Sequence, residues 1–156
     1  MKLNSTLKLI SSIVVVGLAG AFGSLFTTPT IPGWYAGLAK PLLNPPAWVF
    51  GPTWTILYLL MGVSLWLVWT SQSGEKSKAL WLFAIQLVLN TIWSPIFFGA
   101  QSISGALTII VLLWAAIVLT LKIFTKISRP AAWLLVPYLL WVTFAGYLHF
   151  AIWMLN

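Results

Sequence analysis

The chain has 156 residues, 61% hydrophobic and 6% charged, with a mean hydropathy of +1.02. Soluble domains carry roughly 25% charged residues, so the solvent to reason with is a bilayer, and connections of about ten to twenty residues leave no room for an extramembrane domain. Eight Lys and Arg stand against one acid, Glu75, for a net charge of +7, with one histidine and no cysteine; this excludes disulfides, thiol nucleophiles, thiolate metal sites, carboxylate dyads and multi-ligand metal centres.

A bilayer core of about 30 Å takes about 20 apolar helical residues. Five runs qualify: Leu7 to Phe26, Val49 to Trp69, Ala79 to Phe98, Ser104 to Leu121 and Ala131 to Leu155. The runs are continuous rather than alternating and odd in number, which argues for helices over a bacterial barrel. The expectation is an all-α fold in which residues 1–156 form one five-helix transmembrane domain.

The first run competes with a signal peptide, because Lys2 and Lys8 lead into an apolar stretch ending in the A-x-A-like Ala19-Gly20-Ala21. The run continues to Phe26, however, and Gly17, Gly20, Ala21 and Ser24 make a small-residue stripe suited to close helix contact, as expected of a retained helix. Lys2, Lys8, Lys76, Lys78, Lys122, Lys126 and Arg129 fall on one side of the alternating topology and Lys40 alone on the other. The positive-inside rule then puts the N-terminus in the cytoplasm, and the charge reports topology rather than a nucleic-acid surface. Without an Arg- and Ser-rich leading segment, the expected location is a prokaryotic plasma membrane.

The segment between the first two spans holds Pro29, Pro32, Pro41, Pro45, Pro46 and Pro52 together with Gly33-Trp34-Tyr35 and Ala47-Trp48-Val49-Phe50. Prolines lower the entropy lost in fixing a loop, so this segment reads as a stiff lid, or alternatively as an interfacial loop anchored by its tryptophans. Of eleven tryptophans, Trp34, Trp48, Trp66, Trp69, Trp81, Trp133 and Trp153 fall near span ends, as belt residues do. Trp54, Trp93, Trp114 and Trp141 lie deeper, where an indole N–H wants a partner.

Helical spacing gathers Trp54, Tyr58 and Met61 on one face of the second span, and Gln86, Asn90, Trp93, Ser94 and Phe97 on one face of the third. It does the same for Tyr138, Trp141, Ala145, His149 and Ile152 in the fifth. Counted at about 1.5 Å per residue from the outer span ends, Trp54 lies roughly 8 Å deep, His149 roughly 9 Å and Asn90 roughly 12 Å. The three stripes could line one cavity opening toward the first loop, with Trp141 as its floor. Pro95 and Pro137 bend its walls. With no intramembrane carboxylate, an acid proton relay is excluded. Large, flat, mostly apolar ligands suit such a pocket, with Asn90 or His149 fixing one polar group. A neutral imidazole could also ligate haem iron, although a lone intramembrane histidine is more often a hydrogen-bonded helix contact.

Three separated segments resemble the TspO/MBR family of tryptophan-rich sensory and translocator proteins. They are Trp34-Tyr35 with Lys40-Pro41 and Pro45 through Trp54, then Asn90-Thr91-Ile92-Trp93-Ser94, then Pro137 through Trp141 with Phe144-Ala145. The resemblance implies a membrane receptor or sensor, commonly a homodimer in membrane lipid, that needs no cofactor and binds tetrapyrroles such as protoporphyrin IX and haem, or other apolar small molecules, beneath the first loop. The candidate ligand-binding set is Trp34, Trp54, Tyr58, Asn90, Trp93, Phe97, Trp141, Phe144, Ala145 and His149. The resemblance also associates Trp54 and Trp141 with light-dependent porphyrin breakdown, an enzymatic alternative, and transport of porphyrins or sterols is another. The chain departs from the family in carrying His149 after Leu148, where Asn is usual. It also has no basic residue after Tyr147 to complete the weak sterol motif.

Overall fold

A computed structural model describes residues 4–156, and in it five helices form one bundle. They are α1 (Ser5–Thr30), α2 (Phe50–Thr70), α3 (Lys76–Ser94), α4 (Ile103–Ile127) and α5 (Arg129–Leu155). Each is long and apolar enough to cross a membrane. Lys2 lies outside the described residues. Lys8, Lys76, Lys78, Lys122, Lys126 and Arg129 sit at one end of the bundle, here the basic end, and Lys40 at the other, the loop end.

Helix ends follow local chemistry. Asn4 Oδ1 accepts from Leu7 N at 2.7 Å to start α1, while Ser102 and Ser128 cap α4 and α5 through Gly105 N and Ala131 N, each satisfying a donor the helix leaves orphaned. Only Ser128 separates α4 from α5, so Lys122 and Lys126, expected in a loop, belong to the last turns of α4.

The first loop is much shorter than expected. α1 runs through Pro29 and continues as a π-helical turn over Ile31–Tyr35, so Pro29, Pro32 and Gly33-Trp34-Tyr35 are helical rather than lid residues. A proline ring cannot donate to the carbonyl four residues back, and a widened turn accommodates the break without ending the helix. α3 uses the same device: Pro95 opens a π turn over Pro95–Gly99, closed by Ala100 N donating to Pro95 O at 2.8 Å. The two widened turns meet at the loop end, where Phe97 and Phe98 pack with Phe26, Ile31, Trp34 and Tyr35.

Glycines set the α1–α2 approach. A Cβ on Gly20 would overlap the Tyr58 ring, and one on Gly62 would come within 2.9 Å of the Ile13 backbone. The basic-end half is filled by Val68, Ala79, Phe83, Phe124, Ala131 and Leu135, all buried, with the Phe83 and Phe124 rings stacked 6.0 Å apart.

Candidate functional site

The loop-end half holds a cavity of about 650 Å³, within the range of pockets that hold drug-sized or cofactor-sized ligands. α2 contributes Trp54 and Tyr58, α3 contributes Asn90, Trp93 and Ser94, the π turn after it Phe97, and α5 contributes Trp141, Ala145 and His149. These helices converge because each presents one i, i+4 stripe inward.

The floor is a hydrogen-bonded chain through three helices. Tyr58 Oη donates to Asn90 Oδ1 at 2.9 Å, and Asn90 Nδ2 donates to Tyr138 Oη at 3.1 Å. Asn90 and Tyr138 are buried, so both amide groups of Asn90 are already engaged in holding α2, α3 and α5 together. One N–H and one lone pair of that amide remain. Trp54 stacks on Tyr58 with centroids 5.3 Å apart and meets Tyr138 edge-on at 6.2 Å.

Trp141 is therefore not the floor. Its ring meets Phe50, in the first turn of α2, at 5.9 Å, one turn loopward of Trp54. The depth count misplaced it because the two helices end at different heights: α5 reaches Leu155, with Asn156 bonded to Ala39 of the loop, whereas α2 starts only at Phe50.

His149 forms part of the upper wall. Its ring packs against both members of the stacked Trp93–Phe97 pair, 4.5 Å from Phe97 and 5.1 Å from Trp93. Nδ1 is 2.9 Å from Ala145 O, one helical turn back, a partner that fixes Nδ1 as the protonated nitrogen and leaves Nε2 with its lone pair. Nε2 and the Trp93 indole nitrogen are both buried without a protein partner. Among the described residues no three His, Cys, Asp or Glu side chains converge for a metal, and iron at His149 would need this single nitrogen, now covered by the wall itself.

Two candidates stand one step behind the lining. Trp34 packs edge-on against Phe97 at 5.2 Å, and Phe144 against Trp141 at 5.8 Å; both support rings that line the cavity without lining it themselves. Trp114 points outward, 43% exposed, with its indole N–H donated to Thr143 Oγ1 at 2.9 Å. Gln86, on the Asn90 face of α3, is buried outside the cavity lining with neither amide atom paired to protein.

The share of α1 in the cavity is absent from the residue set expected from sequence. Ser94 Oγ lies 2.8 Å from Gly23 O and 2.7 Å from Thr27 Oγ1, tying α1 to α3. Gly17, Gly20, Ala21 and Ser24 all border the cavity. Their small size is the available signal, and on sequence alone it reads wholly as helix contact.

The roof is tethered. Tyr35 Oη donates to Asn44 Oδ1 at 3.0 Å, and Lys40 Nζ sits over the Tyr35 ring at 4.8 Å. Asn156 exchanges two 3.0 Å hydrogen bonds with the Ala39 backbone.

Comparison with known proteins agrees with this architecture. A family model described as the TspO/MBR family matches residues 12–154. The Tryptophan-rich protein TspO of Chlorobaculum tepidum is 50% identical over 139 residues, 88% of each chain. Its namesake in Archaeoglobus fulgidus is 43% identical over 150 residues, 96% of this chain and 97% of the relative. The human Translocator protein is 44% identical over 123 residues, 77% of this chain and 73% of the relative. With five spans able to cross a bilayer and a match over nearly its whole length, the chain is an integral membrane protein that belongs to the TspO/MBR family.

Proposed function

We propose that the chain is a membrane receptor for flat, largely apolar molecules, with porphyrins such as protoporphyrin IX and haem as the ligand class, and that occupancy of its cavity regulates tetrapyrrole levels. The observation that carries this is the cavity itself: about 650 Å³ walled by Trp54, Trp93, Phe97 and Trp141, with lining hydroxyls such as those of Ser24, Thr55, Tyr58 and Ser94 already bonded to protein and one N–H and one lone pair of Asn90 left over. Indole and phenyl faces stack on a planar ring, and few polar groups suit a molecule carrying few of its own. Relatives named for sensing and for translocation accord with the handling of such a molecule. Bacterial and archaeal relatives support a prokaryotic plasma membrane, and the basic end is assigned to the cytoplasm.

The test is titration of protoporphyrin IX into detergent-purified protein in the dark, followed by tryptophan quenching. Binding is saturable in the wild type and about tenfold weaker in Trp141→Phe, equivalent to about 1.4 kcal/mol of lost stacking. An unsaturable response in the wild type would overturn the ligand assignment.

A second reading is light-dependent porphyrin degradation, favoured by one observation: both Trp54 and Trp141 border the cavity, where oxidisable indoles would touch an excited ring. With dioxygen as oxidant, illuminated porphyrin loss must disappear in Trp54→Phe and Trp141→Phe. Loss that persists in both variants rules this reading out.

A further inference from the structure

The roof over the cavity is tied down, yet the cavity is not sealed. Its border includes Ala21, Ser24 and Thr28 of α1 and Gly51, Thr55 and Leu59 of α2, all exposed. The same cavity is bordered by the buried Asn90, Phe97 and His149. The empty space therefore runs without interruption from the interior to the outer surface between α1 and α2. Below this gap the two helices close, with Gly20 against Tyr58 and Gly62 against Ile13. Above it Trp48, 75% exposed, stands at the rim. The gap is flanked by the small side chains of Ala21, Ser24 and Thr28 on α1 and of Thr55 on α2, and a Cβ added at Gly51 would meet nothing within 4 Å.

We infer that the slot between α1 and α2 is a side portal, through which membrane-dissolved ligands enter the cavity from the bilayer while the tethered loop keeps the aqueous face shut. The argument has three steps. The slot faces the surface that lipid covers in a spanning bundle, since α1 and α2 expose Leu18, Phe22, Leu25 and Ile56 there and elsewhere along their length. Flat apolar molecules partition into that lipid, so a lateral path avoids exposing them to water. The alternative path under the loop requires breaking the Asn156–Ala39 pair and the Tyr35–Asn44 bond, whereas the lateral path requires breaking none. A portal of this kind also admits ligands whose apolar tail stays in the bilayer while the ring occupies the cavity. The portal gives the proposed receptor its ligand source, so in that respect it rests on the porphyrin reading, but it can be tested without any porphyrin.

The chain has no cysteine, so Ala145→Cys places a single thiol on the cavity wall of the intact chain. In lipid vesicles, an uncharged maleimide is expected to modify that thiol much faster than a charged methanethiosulfonate. Adding Ala21→Phe and Gly51→Phe, which fill the slot from its two sides, should slow the maleimide tenfold or more. Asn156→Ala, which frees the loop, should change the rate less than twofold. The inference is overturned if the two phenylalanines leave the rate unchanged. It is equally overturned if the charged reagent reacts as fast and is accelerated by Asn156→Ala, or if the thiol reacts only after denaturation. Protoporphyrin IX gives the second readout: the same pair of substitutions should slow its association tenfold or more. Failure of wild-type protein to bind it at equilibrium, with the thiol pattern intact, would reject the porphyrin reading and leave the portal standing.

Discussion

The two halves of the bundle are built from similar apolar residues and serve opposite ends. In the basic-end half Val68, Ala79, Phe124 and Ala131 are wholly buried and Phe83 nearly so, and the space between helices is filled. In the loop-end half comparable bulk is arranged as a wall around empty space, with Trp54, Trp93, Phe97 and Trp141 spaced about it. In lipid, helices gain no hydrophobic advantage by meeting and are held by packing and interhelical hydrogen bonds. A hollow half therefore needs a solid half beneath it. The boundary between them falls at the Tyr58–Asn90–Tyr138 chain, where hydrogen bonds take over from packing.

The sharpest way to break that division is to hollow the solid half. Phe124 is fully buried and stacked on Phe83, and Phe124→Ala should cost about 3 kcal/mol, at the lower end of the range for such truncations because the cavity term, not transfer from water, dominates in a bilayer. Denaturant titration in detergent micelles reads this directly. Porphyrin affinity per folded molecule should stay within twofold of wild type, since Phe124 does not border the cavity. A loss of affinity as large as the loss of stability would show that the halves are one coupled unit.

Gly20 sits at the junction. Because a Cβ there overlaps the Tyr58 ring, Gly20→Ala must push α1 away or turn Tyr58 off Asn90. Overpacking of this kind costs about 1–3 kcal/mol. The expected signature is lower thermal stability together with weakened ligand binding, because Tyr58 belongs to both floor and wall. Wild-type stability in Gly20→Ala would mean that the helices are not in contact at this point.

How much of this was legible in the sequence follows from what each residue's chemistry announces. Five spans were legible because continuous hydropathy is enough to locate them. The inward faces of α2, α3 and α5 were legible because Trp54, Asn90 and Trp141 advertise polarity or aromaticity at helical spacing. Helix ends were not: Pro29 and Pro32 look like breakers, and only the packing of a π turn against Phe97 and Phe98 keeps α1 helical to Tyr35. Lys122 looked like loop because a charge ends an apolar run, yet a long side chain can reach the interface from the last turns of a helix. The depth of Trp114 says that its N–H wants a partner but not on which face, and only the position of Thr143 shows that it is satisfied on the outer one. The role of α1 was hidden because glycine and alanine carry no chemistry of their own. Whether a small residue serves contact or space depends on what stands opposite.

That dependence can be tested within one turn of α1. Gly17 and Gly20 are three residues apart in the same helix, yet a Cβ at Gly17 meets nothing within 4 Å. Gly17 is exposed at the cavity's outer border rather than pressed against a partner. Gly17→Ala therefore adds no clash and removes a helix-weakening residue, for which the expected gain is about 0.5–1 kcal/mol. Its stability should move opposite to that of Gly20→Ala in the same denaturation experiment, with porphyrin affinity unchanged because one methyl does not fill the cavity. If Gly17→Ala destabilises the protein as Gly20→Ala does, the stripe is a uniform packing face in the membrane, and a small residue's contacts do not depend on what stands opposite it.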